Sequence, residues 1–317
     1  MGSMTQDARA NEPNIEAMKK DAGISSGAGE WPHFMVIGAA RSGTTTLCAY
    51  LQRHERLFIC SPKEPCYFGY GDVFSRGDAW YRALFADAPS DALCGDGSTT
   101  YSRWPHTLDS PSLIHERMPE ARFIYIMRHP VERAFSMYRF RIQMGMIKPM
   151  TFEKAIAETD LFLDTSRYMD QIGRFLRFFR RDQFLFLEFH DLHNEALSPT
   201  LAKIQQFLGV EVRDLLGGSE IRVNADQAQR AYKHTSGVID VVKRLPGASP
   251  LLAMVPASIR KAAYRKVVDS KRRSMARSQD NAPAMRPGTR EKLLDLFRAP
   301  NAELARFLDR DLSAWNV

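Results

Sequence analysis

Short apolar runs alternate with helical stripes along the chain. The runs lie at 34–37, 57–60, 92–94, 123–127 and 184–187. The run 123–127 contains no polar residue, which is typical of a strand covered on both faces. This alternation predicts an α/β fold of three layers, in which helices cover both faces of a central parallel sheet.

The segments between these runs have apolar residues at helical spacing. One stripe follows Pro130, a second covers 169–179, and a third covers 201–208 and closes at Gly209, a residue suited to a helix C-cap. Apolar residues after Pro283 predict extra C-terminal helices. We interpret all these stripes as core and assign them no ligand.

Composition and polarity predict how the chain is organised. The 317 residues are 44% hydrophobic and 26% charged, as in globular proteins. Residues 1–30 are polar, which predicts a disordered tail that begins with an expression-vector remnant before Met4. We expect a single domain over 31–317. Within it, the basic, alanine-rich segment 225–281 is predicted to form helices that cover the substrate.

The formal net charge of +7 predicts attraction to anions. Lys and Arg residues are concentrated at 260–277. We nevertheless expect no nucleic-acid partner. The apolar runs are too short for a membrane helix, which leaves peripheral membrane contact through 245–277 open. The four cysteines have no metal-ligand or redox spacing, so no metal is expected, and together with the lack of a leader pattern they favour a cytoplasmic location.

The most informative segment is 34–47, where an apolar run enters a small-residue turn before a predicted helix. Gly38 and Gly43 have the spacing of a P-loop-like phosphate-binding loop, but Thr44 stands where a Walker lysine would be, and the basic residue, Arg41, lies inside the loop. The loop is therefore predicted to hold a phosphate that is not part of ATP. The predicted contacts come from Arg41, Ser42, Gly43, Thr44 and Thr45.

A second candidate anion site follows the apolar run 123–127. Arg128 comes directly after it, and Ser136 lies on the helix that begins at Pro130. Ligands of open α/β sheets bind beyond the carboxyl ends of the strands, so we expect Arg128 beside the first loop. One nucleotide with phosphates at both ends would fit the two sites.

A third segment, 62–68, follows the second predicted strand. Glu64 lies there between two prolines and is a candidate general base toward an acceptor hydroxyl. Lys63 is a candidate for stabilising charge on the leaving phosphate or on the transferred group. Taken alone, the pair would be interpreted as a surface turn.

Together these segments resemble the PAPS-dependent sulfotransferase family, especially its bacterial and heparan-sulfate-type members. Residues 34–47 resemble its 5′-phosphosulfate loop, 123–138 its 3′-phosphate strand and helix, and 62–68 the segment that carries its glutamate base. Residues 95–101 resemble an element near its substrate cleft, and 284–315 its C-terminal helices.

The resemblance implies in-line transfer of a sulfuryl group from PAPS to the hydroxyl of a carbohydrate, glycolipid, lipid or secondary metabolite, leaving adenosine 3′,5′-bisphosphate. It implies Glu64 as base, with Arg41 and Lys63 stabilising charge. Two departures matter: Arg41 stands where the family often has lysine, and Gly97 replaces a lysine of heparan-type members. The family's C-terminal basic loop is matched only vaguely, by 271–273.

Two alternatives remain at this point. A P-loop-type nucleotide kinase or NTPase would need a lysine after Gly43 and an acidic strand residue for Mg²⁺, and neither Thr44 nor 123–127 supplies these. A catalytically inactive basic protein that binds through 260–277 is the other. The acceptor and the oligomeric state stay open.

Overall fold

Five parallel strands form one sheet in the order β2-β3-β1-β4-β5. A computed structural model describes residues 30–217 and 282–317. The strands are β1 Phe34–Gly38, β2 Leu57–Ile59, β3 Leu93–Asp96, β4 Arg122–Met127 and β5 Phe184–Glu188. The predicted parallel sheet and all five strands are therefore confirmed, with ends shifted by one or two residues.

The central strand β1 shows why the apolar runs lack alternation. Met35 and Ile37 of β1 face one hydrophobic cluster, whereas Phe34 and Val36 face another on the opposite side of the sheet. Successive side chains of a strand point to opposite faces, so a strand covered on both faces needs apolar residues at every position. The three-layer architecture follows from this double coverage.

Ten helices of the described residues, from 4 to 22 residues long, surround the sheet, with shorter helical turns between them. The helices are α1 Thr44–Leu51, α2 Gly71–Phe74, α3 Asp78–Arg82, α4 Ser110–His115, α5 Pro130–Gln143, α6 Phe152–Glu158, α7 Leu161–Asp164, α8 Tyr168–Phe175, α9 Leu197–Leu208 and α10 Pro287–Leu308. Helix α5 begins at Pro130, and α9 ends at a left-handed Gly209 (φ 75°), as predicted.

The C-terminal helix α10 packs against the main body. Leu293 and Phe297 are buried in a cluster with residues of α5, while Leu304 belongs to the core beneath the sheet. Leu296, one of the apolar residues after Pro283, is 38% exposed. The buried face of α10 therefore includes fewer of these apolar residues than the sequence predicted.

Several expectations lie outside the described residues. They concern the tail before Glu30, the substrate-covering segment 225–281, the membrane contact through 245–277 and the basic residues 260–277, including 271–273. The division into a tail and one domain stays a prediction. Within the two described stretches, no helix combines the length and apolar character that crossing a bilayer requires.

The carboxyl ends of the four strands β1 to β4 bring the candidate residues to one edge. β1 ends at Gly38, β2 at Ile59, β3 at Asp96 and β4 at Met127. All four are parallel, so the loops that follow them meet on the same side of the sheet. A side chain at Gly38 would collide with the Ser102 hydroxyl, which shows how closely the loops after β1 and β3 approach.

Candidate active site

The loop after β1 presents backbone N–H groups to one side. Arg41 (φ 74°) and Gly43 (φ 88°) both have left-handed backbone, and Gly43 is the N-cap of α1. The first backbone hydrogen bond of the helix runs from Leu47 N to Gly43 O at 3.0 Å, so the preceding N–H groups have no partner within the helix. Together with the positive end of the helix dipole, they form an anion-binding concavity.

Gly43 is required both by its backbone and by its surroundings. An L residue is strained at its φ, and an added Cβ would lie 3.1 Å from Leu192 Cδ1 and 3.4 Å from Phe189 Cδ2. The loop therefore packs tightly on the segment that follows β5, and any side chain at this position would shift it.

Helix α5 holds the loop arginine. Arg41 Nε donates a hydrogen bond to Ser136 Oγ at 3.2 Å, across 95 residues of sequence. The guanidinium also lies over the ring of Phe140, 4.6 Å from its centroid. Both contacts hold the Arg41 side chain against α5. The structure thus brings Arg41 and Ser136 together, although the sequence assigned them to different phosphates.

Glu64 lies at the same pocket as the loop. Its residue is 7% exposed. Lys63 Nζ donates to Oε1 at 3.1 Å, and Thr99 Oγ1 donates to Oε2 at 3.4 Å. The pocket is lined by Glu64, by the loop residues Ala40, Arg41, Gly43, Thr44 and Thr45, and by Thr99, Arg103, Met137 and Phe140. The carboxylate is thus oriented at both oxygens while facing the anion-binding loop.

Lys63 lies behind Glu64 and is not among the residues that line this pocket. Its Nζ donates to Gly97 O at 2.8 Å as well as to Glu64. Burial lowers the pKa of Lys63, but the neighbouring Glu64 carboxylate more than compensates, and the pKa lies above its usual value. Lys63 therefore stays an ammonium that steadies the carboxylate.

Gly97 makes the position of Lys63 possible. A Cβ on residue 97 would lie 3.1 Å from Cε and Cγ of Lys63 and 2.9 Å from Cys48 Sγ. The absence of a side chain there, noted as a departure from heparan-type sequences, leaves the space that the Lys63 stem fills.

A buried carboxylate fixes the segment that carries Glu64. Tyr81 and Tyr101 each donate to Asp96 Oδ2 at 2.6 Å, and Ser98 Oγ donates to Oδ1 at 2.6 Å. Ser98 Oγ in turn accepts from Cys66 N at 3.0 Å. Burial raises the pKa of Asp96, and the three hydroxyl donors oppose that rise. Through Ser98, this network ties the chain just after Glu64 to the end of β3.

Arg128 lies against the ring of Phe189, the residue that follows β5. Its guanidinium is 4.8 Å from the centroid of the Phe189 ring and 3.9 Å from Glu132 Oε2. The same ring borders Gly43. Ser136 bonds to Arg41, so the structure pairs that serine with the loop arginine, whereas Arg128 is not among the residues that line the pocket.

The sequence missed five residues that line the pocket or lie next to it. Thr99 and Arg103 lie at or just after the segment 95–101, whose resemblance was a usable signal. Met137 and Phe140 were part of an apolar helix and gave none. Phe189 follows β5, where no motif marked it. Among the described residues, no group of three or more His, Cys, Asp or Glu side chains has the arrangement of a metal site.

Comparison with known families decides what kind of protein this is. A family model described as a sulfotransferase domain matches residues 31–238. The chain belongs to the sulfotransferase family. The matched residues include the loop after β1, Glu64 and the strand and helix that carry Arg128 and Ser136, so the pocket is part of the family domain.

Curated relatives are also sulfotransferases. Human heparan sulfate glucosamine 3-O-sulfotransferase 6 is 26% identical over 200 residues, 59% of this chain and 56% of that protein. The membrane-associated sulfotransferase kil1 of Dictyostelium discoideum is 37% identical over 115 residues, 35% of this chain and 23% of that protein. The chain thus spans between a quarter and about half of the length of such relatives.

A solved structure supports the fold. The crystal structure of a sulfotransferase from Alicyclobacillus acidocaldarius matches with a TM-score of 0.62 at 22% identity, covering 90% of this chain and 99% of that one. At this identity the likeness concerns the fold, and it agrees with the three-layer α/β architecture described above.

Proposed function

We propose that this sulfotransferase-family protein transfers a sulfuryl group from PAPS to a hydroxyl group of its acceptor, with Glu64 as general base. The observation that carries the proposal is the shared pocket: the Glu64 carboxylate and the N-terminus of α1 line the same space. A base and an anion-binding cradle that face each other are what displacement at a sulfuryl centre requires.

The residues present fit such a donor. The unpaired N–H groups at the start of α1 and the Cβ-free Gly43 leave a cradle for the 5′ end, beside Arg41. Ser42, Thr44 and Thr45 belong to the same loop, and we assign Arg128 and Ser136 to the donor's phosphates as well. When bound, PAPS supplies the sulfuryl group and departs as adenosine 3′,5′-bisphosphate.

The protein's side chains have separate roles in the proposed transfer. Glu64 accepts the proton of the acceptor hydroxyl at one of its carboxylate oxygens, which Lys63 and Thr99 keep oriented. Arg41 and the loop N–H groups stabilise the negative charge that develops on the donor side. Lys63, bonded to Glu64 and Gly97, contributes positive charge from behind the base rather than from within the pocket.

The acceptor belongs to the class of hydroxyl compounds: a carbohydrate, glycolipid, lipid or secondary metabolite. The relatives include heparan sulfate sulfotransferases, which favours a carbohydrate. We also propose a bacterial source, a cytoplasmic location and one domain over residues 31–317, with 225–281 contributing to the acceptor site.

Glu64→Gln tests the proposed base. The amide keeps the shape of the side chain but cannot take the proton, so we expect transfer from PAPS to fall by about 10³-fold. Calorimetry should show binding of adenosine 3′,5′-bisphosphate unchanged within about twofold, because the loop is untouched. Glu195→Gln, at an exposed position, is the matched control and should change neither quantity.

Two results would contradict the proposal. An equal loss of transfer and of nucleotide binding in Glu64→Gln would make Glu64 a structural residue. Thermal stabilisation of the wild-type protein by ATP and Mg²⁺, but not by adenosine 3′,5′-bisphosphate, would instead favour a nucleotide kinase or NTPase.

A further inference from the structure

Arg103 lies one hydroxyl away from the proposed base. It lines the pocket together with Glu64. Its Nη2 donates to Thr99 Oγ1 at 2.8 Å, and that same hydroxyl donates to Glu64 Oε2 at 3.4 Å. Arg103 is thus on the side of the pocket where an acceptor must place its hydroxyl, opposite the loop that we assign to the donor.

A second arginine, Arg141, lies on α5 next to residues of the same pocket. It comes one helical turn after Met137 and directly after Phe140, both of which line the pocket with Arg103. Arg141 is partly buried, and burial, followed by the positive charge of Arg103, lowers its pKa. Helix geometry thus places Arg141 on the side of α5 that carries pocket residues.

Both arginines have hydrogen-bonding capacity that the described residues do not use. The Nε atoms of Arg103 and of Arg141 are buried, and neither has a hydrogen-bond partner within 30–217 or 282–317. No carboxylate of these stretches forms an ion pair with either side chain. Two cations with buried donors left over are unfavourable unless an anion joins them.

Other arginines of the same fold have such a partner. Arg117 pairs with Asp78 at 3.0 Å, Arg174 with Asp109 at 2.7 Å and Arg290 with Glu132 at 2.6 Å. Arg103 differs from them in lining the pocket that contains Glu64, and Arg141 in following the pocket residue Phe140.

We propose that Arg103 and Arg141 bind an anionic group carried by the acceptor, a carboxylate, sulfate or phosphate, and so select acceptors that are negatively charged near the reacting hydroxyl. This proposal rests on the proposed sulfuryl transfer, since it names the class of acceptor that would react at the pocket. A planar guanidinium fork binds carboxylate, sulfate and phosphate oxygens in pairs, which makes two arginines a suitable receptor.

An exposed aromatic ring adjoins Arg103 in sequence. Trp104 is 40% exposed, and one face of its indole is covered by Arg174, 3.7 Å from its centroid. An exposed ring of this kind offers apolar surface to the face of a sugar.

The test uses two acceptors that differ only in charge. 4-Nitrophenyl β-D-glucuronide carries a carboxylate where 4-nitrophenyl β-D-glucoside carries a hydroxymethyl group. We expect the wild-type protein to sulfate the glucuronide with a kcat/KM at least about tenfold higher. In Arg141→Gln the ratio should fall to about one through loss on the glucuronide alone, whereas Arg141→Lys should retain part of it.

Controls separate charge at this site from charge in general. Arg139→Gln removes an exposed arginine of the same helix and should leave the preference intact. Thermal melting within about 2 °C of wild type confirms that Arg141→Gln is folded. The 6-sulfate and 6-phosphate of the glucoside, used as further acceptors, show which kind of anion the pair prefers.

A binding measurement distinguishes failure of this proposal from failure of the proposed function. Glucuronide is titrated by calorimetry into protein saturated with adenosine 3′,5′-bisphosphate. Binding that Arg141→Gln abolishes, without any transfer, would support the anion site and overturn the proposed reaction. Equal behaviour toward glucuronide and glucoside, including binding of neither, would overturn the anion site. So would a loss of nucleotide affinity in Arg141→Gln, because the arginine would then serve the donor.

Discussion

The two sides of the pocket are built from different parts of the chain. The proposed donor side is made mainly of backbone: the N–H groups at the start of α1 and the left-handed residues Arg41 and Gly43. The proposed base side is made of side chains, with Glu64 held by Lys63 and Thr99 and its segment tied to Asp96 through Ser98.

This difference determines which substitutions each side tolerates. A backbone cradle depends on glycine and on φ, so most of its side chains are replaceable provided the turn is kept. A side-chain network depends on every member, because each removal leaves a buried polar group without its partner. Substitutions of Gly43, Asp96, Gly97 and Ser136 test this contrast.

Gly43→Ala should break the donor side through the backbone alone. The Cβ would crowd Leu192 and Phe189 at a φ of 88°, so we expect adenosine 3′,5′-bisphosphate to bind at least about 100-fold more weakly in calorimetry. Gly77→Ala is the matched control, since its φ is 83° and nothing lies within 4 Å of the added Cβ. Nucleotide affinity that survives Gly43→Ala would mean that the cradle is not the donor site.

Asp96→Ala should break the base side through its network. Three buried hydroxyls would lose their acceptor, and the free energy of unfolding should fall by about 3–5 kcal/mol in urea denaturation. Asp87→Ala, at an exposed position, should change it by less than about 0.5 kcal/mol. A loss below about 1 kcal/mol for Asp96→Ala would show that the network does not stabilise the fold.

Gly97→Ala separates the base from its ammonium partner. The methyl group would displace the Lys63 stem, so we expect transfer to fall by about tenfold while nucleotide binding stays within about twofold. Gly71→Ala, whose Cβ would meet nothing within 4 Å, should leave activity unchanged. Full activity in Gly97→Ala would remove Lys63 from the proposed mechanism.

Ser136→Ala should give the smallest effect, because it removes one side-chain contact from a cradle made of backbone. Arg41 loses the acceptor of its Nε, and nucleotide affinity should weaken about threefold. Ser112→Ala, at a partly buried position of α4, is the control. A loss of nucleotide affinity as large as that expected for Gly43→Ala would contradict the view that the donor side depends mainly on backbone.

Local patterns predicted much of this molecule for physical reasons. A short apolar run without alternation is typical of a strand covered on both faces, and the five runs became β1 to β5. The G-x-x-x-x-G spacing marked a turn that needs left-handed backbone, which Gly43 has. The expectation that Arg128 and Ser136 share an anion stays a prediction, and the hydrogen bond between Ser136 and Arg41 is a contact that no local pattern indicated.

The sequence by itself determined the strands, the phosphate-type loop and the presence of a carboxylate at a strand end, because each depends on residues close together in the chain. Only the tertiary structure decided that Thr99 orients Glu64 and that Ser136 of α5 bonds to Arg41. Those contacts depend on the strand order β2-β3-β1-β4-β5 and on the rotation of α5 about its axis, and no local pattern encodes either.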